Sequence, residues 1–306
     1  MNTRQDIYAC VTAEIVAAIQ AGAGDWNMPW HHDGSEITRP ANVASGKGYR
    51  GINTLALWIA AQARGFGSGL WGTYRQWNLL GGQVRKGEHA TAIVFWKRIG
   101  QPQRDHVTDA SDVEERRRFV ARGYAVFNRS QVDGYDLSER PVLPESERIA
   151  HADTFLAALN IPVTFGSEVA FYQIAADRIF MPAFSAFHDA TGYVSTYVHE
   201  SAHATGAKHR LDRDFGARFS GDALAVEEIT AELTAALVLA DLGIAHHPRA
   251  DHAAYVASWL NVLKNDTRAI FTAASKAQAA ADWMHAQQST AESGAGVSRE
   301  QEVELA

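Results

Sequence analysis

The stretch Tyr197-Val198-His199-Glu200-Ser201-Ala202-His203 decides how the chain is read, because two imidazoles stand four residues apart with a carboxylate between them. In an α-helix, positions i and i+4 lie one above the other on one face, so both rings can reach a common cation. Glu200 sits about 100° further round the helix, where it can reach a water at that cation more easily than the cation itself. The division of labour is two ligands, one base and one open coordination position. Helix context is present: Tyr193, Tyr197, Val198, Ala202 and Ala204 supply apolar positions over 191–205, and Gly206 follows where the residue after a helix C-cap is expected.

This HExxH spacing is that of a zinc metallopeptidase helix, in which Zn²⁺ brings the pKa of its water to about 7 and the Glu accepts a proton as the water attacks a carbonyl. A third ligand has two candidates. His209 completes HExxHxxGxxH, the metzincin signature, but that signature comes with a Met-turn downstream, and the only Met after residue 203 is Met284, at the far end of the chain. Glu228 lies on the next helical stretch, 222–242, four residues before Glu232 on the same face, with Leu224, Ile229, Leu233, Leu237 and Leu239 as apolar contacts. Two like charges so placed weaken an exposed helix, whereas facing a cation they gain. Glu228 is therefore assigned as third ligand and Glu232 as the partner that orients a ligand His through its other ring nitrogen; His209 is the alternative.

Working outward, 306 residues with 46% hydrophobic content suffice for two soluble domains with packed cores. No run of 18 apolar residues is present, so no membrane partner is expected. The N-terminus lacks the apolar segment of a secretory signal, and the single Cys10 excludes an internal disulfide, so a cytoplasmic location is expected. The net charge of −7 hides a basic module: residues 39–104 hold ten Lys and Arg side chains and one acid, Glu88.

That module is rich in aromatics as well. It reads as a Gly-rich loop with Lys47, Tyr49 and Arg50, a helix over 53–64, a helix near 73–80, a turn at Gly81-Gly82 and a strand over 90–97. Cations that follow phosphates and rings that stack on unpaired bases suit single-stranded nucleic acid. Lys47, Tyr49, Arg50, Trp71, Tyr74, Arg75, Arg85 and Lys86 lie in or beside loops and helix ends and are the expected contacts, whereas Trp58 and Phe95 sit in apolar runs and read as core. Trp26 and Trp30 flank Pro29 as a packing anchor, and 101–119 reads as an exposed loop. Pro141 and Pro144 mark a domain junction, which divides the chain into 1–140, 149–286 and a disordered tail at 287–306. In the second half, a helix over 149–159 is followed by strands near 163–166 and 170–174. The segment 177–182 reads as an edge strand beside the metal helix, suited to holding extended peptide by strand addition. A helix over 251–284 closes the domain.

Two motif sets, GYRGIN (48–53) with LGGQVRKGE (80–88), and DRIFMP (177–182) with YVHESAHATGAKHRLDRDF and EEITAEL, resemble the ArdC-type antirestriction proteins of conjugative plasmids, which are similar to the N-terminal region of TraC-type primases. The resemblance covers 1–245. It implies an α+β protein of two domains, an N-terminal mixed α/β domain that binds single-stranded DNA and a C-terminal zincin-like metallopeptidase domain with one Zn²⁺, acting on an unidentified protein substrate. It also implies a role in protecting incoming plasmid DNA from restriction. Ala204 and Ala207 depart from relatives that often carry Trp and His there, without removing a proposed ligand.

Overall fold

The computed structural model describes residues 7–22, 39–98, 119–135, 143–213, 215, 221–246 and 252–303. The Trp26–Trp30 anchor, the 101–119 loop up to residue 118 and the Pro141 part of the junction lie outside the described residues.

In the first half, helix α1 (Ile7–Gly22) leads to β1 (Ala41–Asn42), α2 (Ile52–Arg64), β2 (Leu70–Gly72), α3 (Tyr74–Leu79), β3 (Gln83–Val84), β4 (Thr91–Arg98), β5 (Phe119–Asn128) and β6 (Val132–Asp133). A four-stranded sheet has the order β1-β2-β5-β4, with β4 and β5 antiparallel over 91–98 and 119–128; β3 and β6 form a short antiparallel pair. Helix α3 starts where Thr73 and Gln76 make a reciprocal capping box. At the sheet edge, the Asn53 amide donates to Val94 O and accepts from Val94 N, both at 2.8 Å, so a side chain takes the place of a missing strand along β4. Two residues earlier Gly51 turns the chain at φ 55, a left-handed value that favours glycine.

The second half runs α4 (Glu145–Ala158), β7 (Val163–Phe165), β8 (Phe171–Gln173), β9 (Arg178–Met181), α5 (Ala190–Ala204), α6 (Gly221–Leu242), α7 (His252–Asn265) and α8 (Ala269–Val303). Its sheet has the order β7-β9-β8, parallel on one side and antiparallel on the other. This corrects the expected edge strand: β9, with Ile179 and Met181 at 0% exposure, is central and hydrogen-bonded on both sides, so the edges open to strand addition belong to β7 and β8. The expected single helix over 251–284 is two helices, because Asp266 accepts from Arg268 N at 2.8 Å in a local turn that competes with the helix. The helical backbone of α8 continues to Val303, where disorder was expected after Gln287; once a packed segment has nucleated a helix, each added residue gains a backbone hydrogen bond.

Helix α6 is buried on every side from Ile229 to Ala240 and is the central pillar, with Ala231, Ala235, Ala236, Val238 and Leu239 at 0% exposure. The small residues Ala273, Ala277 and Ala281 of α8 are buried in the same core. So are Ile15 and Ile19 of α1, Leu55 and Trp58 of α2 and Val94 of β4, so the two halves share one continuous core. Among the described residues, no helix is long and apolar enough to cross a membrane.

Candidate metal centre

Asp189 caps α5 by accepting from Gly192 N at 2.7 Å, which sets the helix phase that turns His199 and His203 toward α6. A carboxylate on a buried helix must be paired, and α6 carries three near these rings: Glu227, Glu228 and Glu232. The Nε2 atoms of His199 and His203 are 3.2 Å apart, and Glu228 places Oε2 3.6 Å from His199 Nε2 and Oε1 3.6 Å from His203 Nε2. Tetrahedral coordination with bonds of about 2.0–2.1 Å separates donors by roughly 3.3–3.4 Å, and one ligand atom from each of the three residues lies within 4.8 Å of the others, so the two rings and the carboxylate between them are spaced to close on one small divalent cation with a position left over. His199, His203 and Glu228 are the His/Cys/Asp/Glu group whose ligand atoms converge among the described residues.

Each imidazole has a carboxylate behind it. His199 Nδ1 lies 3.3 Å from Glu232 Oε2, and Glu232 Oε1 lies 3.3 Å from Nε2 of the buried His246. His203 Nδ1 lies 3.2 Å from Glu227 Oε1, and Glu227 is gripped by Arg213 through Nη2 at 2.7 Å and Nε at 3.2 Å. A hydrogen bond from Nδ1 to such a carboxylate fixes the tautomer and leaves the Nε2 lone pair for the centre; His203 and Glu227 make it, while His199 and Glu232 meet as a charge contact. Burial lowers the pKa of His203, but Glu227 and Glu228 override it and push it up to about 10. Burial raises Glu228, but the two imidazoles hold it well below the usual carboxylate range. The field at this point favours positive charge, and a divalent cation competes for the position with the proton. Glu200 is 3% exposed, on the same helix as both rings.

Arg213 also donates to Ala202 O at 2.7 Å and His203 O at 3.3 Å, satisfying carbonyls at the C-terminal end of α5. A Cβ on Gly206 would stand 2.5 Å from Phe215 Cζ and 2.9 Å from Arg213 Nη2, while its φ lies outside the left-handed region. Glycine is required there for close approach, not as a left-handed helix cap. His209 lies away from the ligand triangle: its exposed ring is 3.4 Å from Asp177, which also binds Arg210 through two bonds of 2.6 and 2.9 Å. Glu227, Arg213 and His246 were not singled out from the sequence; the EE pair at 227–228 was the available signal, but which of the two faces the rings depends on how α6 packs.

The basic module is sorted by burial. Lys47, Arg50, Tyr74, Arg75, Arg85 and Lys86 are exposed. Trp71 and Tyr49, at 0% and 9% exposure, pack together with Leu57, Ile93 and Val126 and offer no stacking face, a correction that follows from the sheet closing over them. Phe95, expected in the core, is 60% exposed and meets the 44%-exposed Tyr124 edge to face at 5.9 Å, because β4 and β5 run out beyond the core. Arg85 lies 2.8 Å from Glu88 and 3.4 Å from Asp133, and Arg50 pairs with Asp282 of α8.

Comparison with known proteins bears on both halves. Residues 5–127 match the family model of the N-terminal domain of anti-restriction factor ArdC, and residues 150–276 match that of a zincin-like metallopeptidase. The chain is 55% identical to the uncharacterized protein y4eC of Sinorhizobium fredii, over 95% of each chain. It is 32% and 34% identical to two DNA primases TraC of Escherichia coli, of which it spans 20% and 27%. Crystal structures of the antirestriction ArdC protein from plasmid R388, metal-free and Mn(II)-bound, superpose with TM-scores of 0.75 at 37% and 36% identity. They cover 93% and 92% of this chain and 98% of theirs.

Proposed function

Because this chain belongs to the ArdC-type antirestriction family, we propose that it combines two activities: binding of single-stranded DNA by the first half, and Zn²⁺-dependent peptide hydrolysis at His199, His203 and Glu228 in the second. The observation that carries the second activity is the convergence of the two imidazole Nε2 atoms, 3.2 Å apart, on the Glu228 carboxylate, with a separate oxygen 3.6 Å from each ring, and a Glu next to the first histidine. When bound, Zn²⁺ would supply Lewis acidity and bring the pKa of its water to about 7. Glu200 accepts the proton of the water that attacks the peptide carbonyl and returns it to the leaving amine. Glu232 and Glu227 keep the two imidazoles aimed. For strand binding, the exposed Tyr74, Phe95 and Tyr124 supply rings, and Lys47, Arg75 and Lys86 supply charge.

A second reading, in which the metal is structural and protection comes from occupying DNA, is favoured by the burial of Glu200. One variant separates the two. Glu200→Ala is expected to keep its metal and lose about 10²–10⁴-fold in hydrolysis of an unfolded protein such as casein. Full protection in a conjugation assay with cleavage abolished, or no cleavage by the wild-type chain, favours the second reading, whereas full cleavage by Glu200→Ala would remove Glu200 as the base. Single-strand binding is expected to weaken with salt, log K falling with a slope of about −0.7 per phosphate neutralised.

A further inference from the structure

Between the sheet of the first half and α8 of the second lies a cavity of about 1140 Å³. That is above the range of roughly 300–1,000 Å³ typical of small-molecule sites. One wall is the face of β4 and β5 that begins at the buried Ile93 and Val126 and runs outward to the exposed Phe95 and Tyr124. The loop residues Lys47 and Arg50 stand at its mouth, and Ser275, Gln278, Ala279 and Asp282 of α8 form the facing wall.

We infer that this seam is where the protein holds single-stranded DNA, so that the strand is bound by both halves at once and α8 is part of the nucleic-acid site. The inference rests on the proposed strand binding and adds its location. The occupant follows from the wall chemistry. Two large rings left in water offer faces to unpaired bases, which a duplex keeps in its own stack, and the adjacent cations suit the connecting phosphates. Among the described residues, the groove lined by Tyr74, Arg85 and Lys86 also brings a ring and cations together, but it is smaller, about 610 Å³, and also holds Glu88 and Asp133.

Among the described residues, Asp282 is the one acid in the lining, and it accounts for how the site is kept when no strand is present. Its carboxylate is taken up by Arg50, with the two side chains 43% and 62% exposed. An exposed pair of this kind is weak, and a phosphate offers the same fork-matching oxygens to the guanidinium. A bound strand therefore exchanges places with Asp282 on Arg50. Arg39 remains as the tie between halves, with bonds of 2.8 Å to Asp241 and 2.6 Å to Gln278.

The test uses the full chain and a fluorescent oligothymidylate, read by anisotropy at low salt. Phe95→Ala is expected to weaken binding roughly 5- to 150-fold, the loss of one stacked base. Ser275→Trp, which fills the cavity from the α8 side, is expected to weaken it by more than about fivefold, and Thr272→Trp, exposed on the same helix outside the lining, to leave it unchanged. Asp282→Asn, which adds no bulk, is expected to strengthen binding about 1.5- to 5-fold by freeing Arg50. If Ser275→Trp and Asp282→Asn bind as wild type does while Phe95→Ala is impaired, the strand lies on the first half alone; the seam is then wrong and strand binding stands. If the wild-type chain itself does not bind the oligonucleotide at low salt, both fall together.

Discussion

Glu228→Ala is expected to bind a divalent cation more than about 100-fold more weakly than the wild-type chain, because an outer hydrogen-bonding partner alone is worth 10–100-fold and Glu228 supplies an oxygen at the triangle itself. Glu232→Ala and Glu227→Ala, which leave all three donors present but release one ring each, fall in that range of about 10–100-fold. Glu200→Ala binds metal as wild type does. Competition against a chromophoric chelator measures all four. Retained affinity in Glu228→Ala together with loss in His209→Ala would contradict the ligand set and point to a rearranged segment after α5, since His209 is engaged 3.4 Å from Asp177.

Arg213→Ala is expected to cost about 3–5 kcal/mol of folding stability, the penalty of removing one partner from a buried ion pair. The Arg213 and Glu227 side chains are 4% and 6% exposed, so the carboxylate left behind cannot be rehydrated without opening the packing of α5 on α6. The α5 carbonyls of Ala202 and His203 lose the same donor. Lysine is not expected to restore the loss, because a single ammonium cannot reproduce the fork that spans Glu227 and two carbonyls. Urea unfolding gives the difference, and a cost under about 1 kcal/mol, the value of an exposed pair, would show that the pair is not buried as described.

The centre was legible because its signals are local. His199 and His203 are four apart on one helix, and Glu228 and Glu232 four apart on the next, so each pair shares a face whatever the tertiary fold. Glu227 was not legible: whether it or Glu228 meets the cation depends on the rotation of α6, set by the small residues of α8 against which it packs. The same divide runs through the first half. The elements near 53–64, 73–80 and 90–97 appear close to their expected positions, but Trp71 is sealed by long-range pairing of β2 with β1 and β5, and Phe95 is left in water by strands longer than the core. The central place of β9 rests on a parallel partner, β7, joined to it through β8, a connection that no short window of sequence shows. The division into two domains was legible from the proline-rich junction, but not that the buried faces of α1 and α2 would join the core of the second half.

The proposed chemistry needs one cation held between α5 and α6. Anomalous diffraction from crystals grown with Zn²⁺ or Mn²⁺ tests it most directly. A single strong peak is expected about 2.0–2.2 Å from His199 Nε2, His203 Nε2 and a Glu228 oxygen, with a fourth position open to solvent. A peak at His209 and Asp177, or none at the His199–His203–Glu228 triangle under saturating metal, would contradict it.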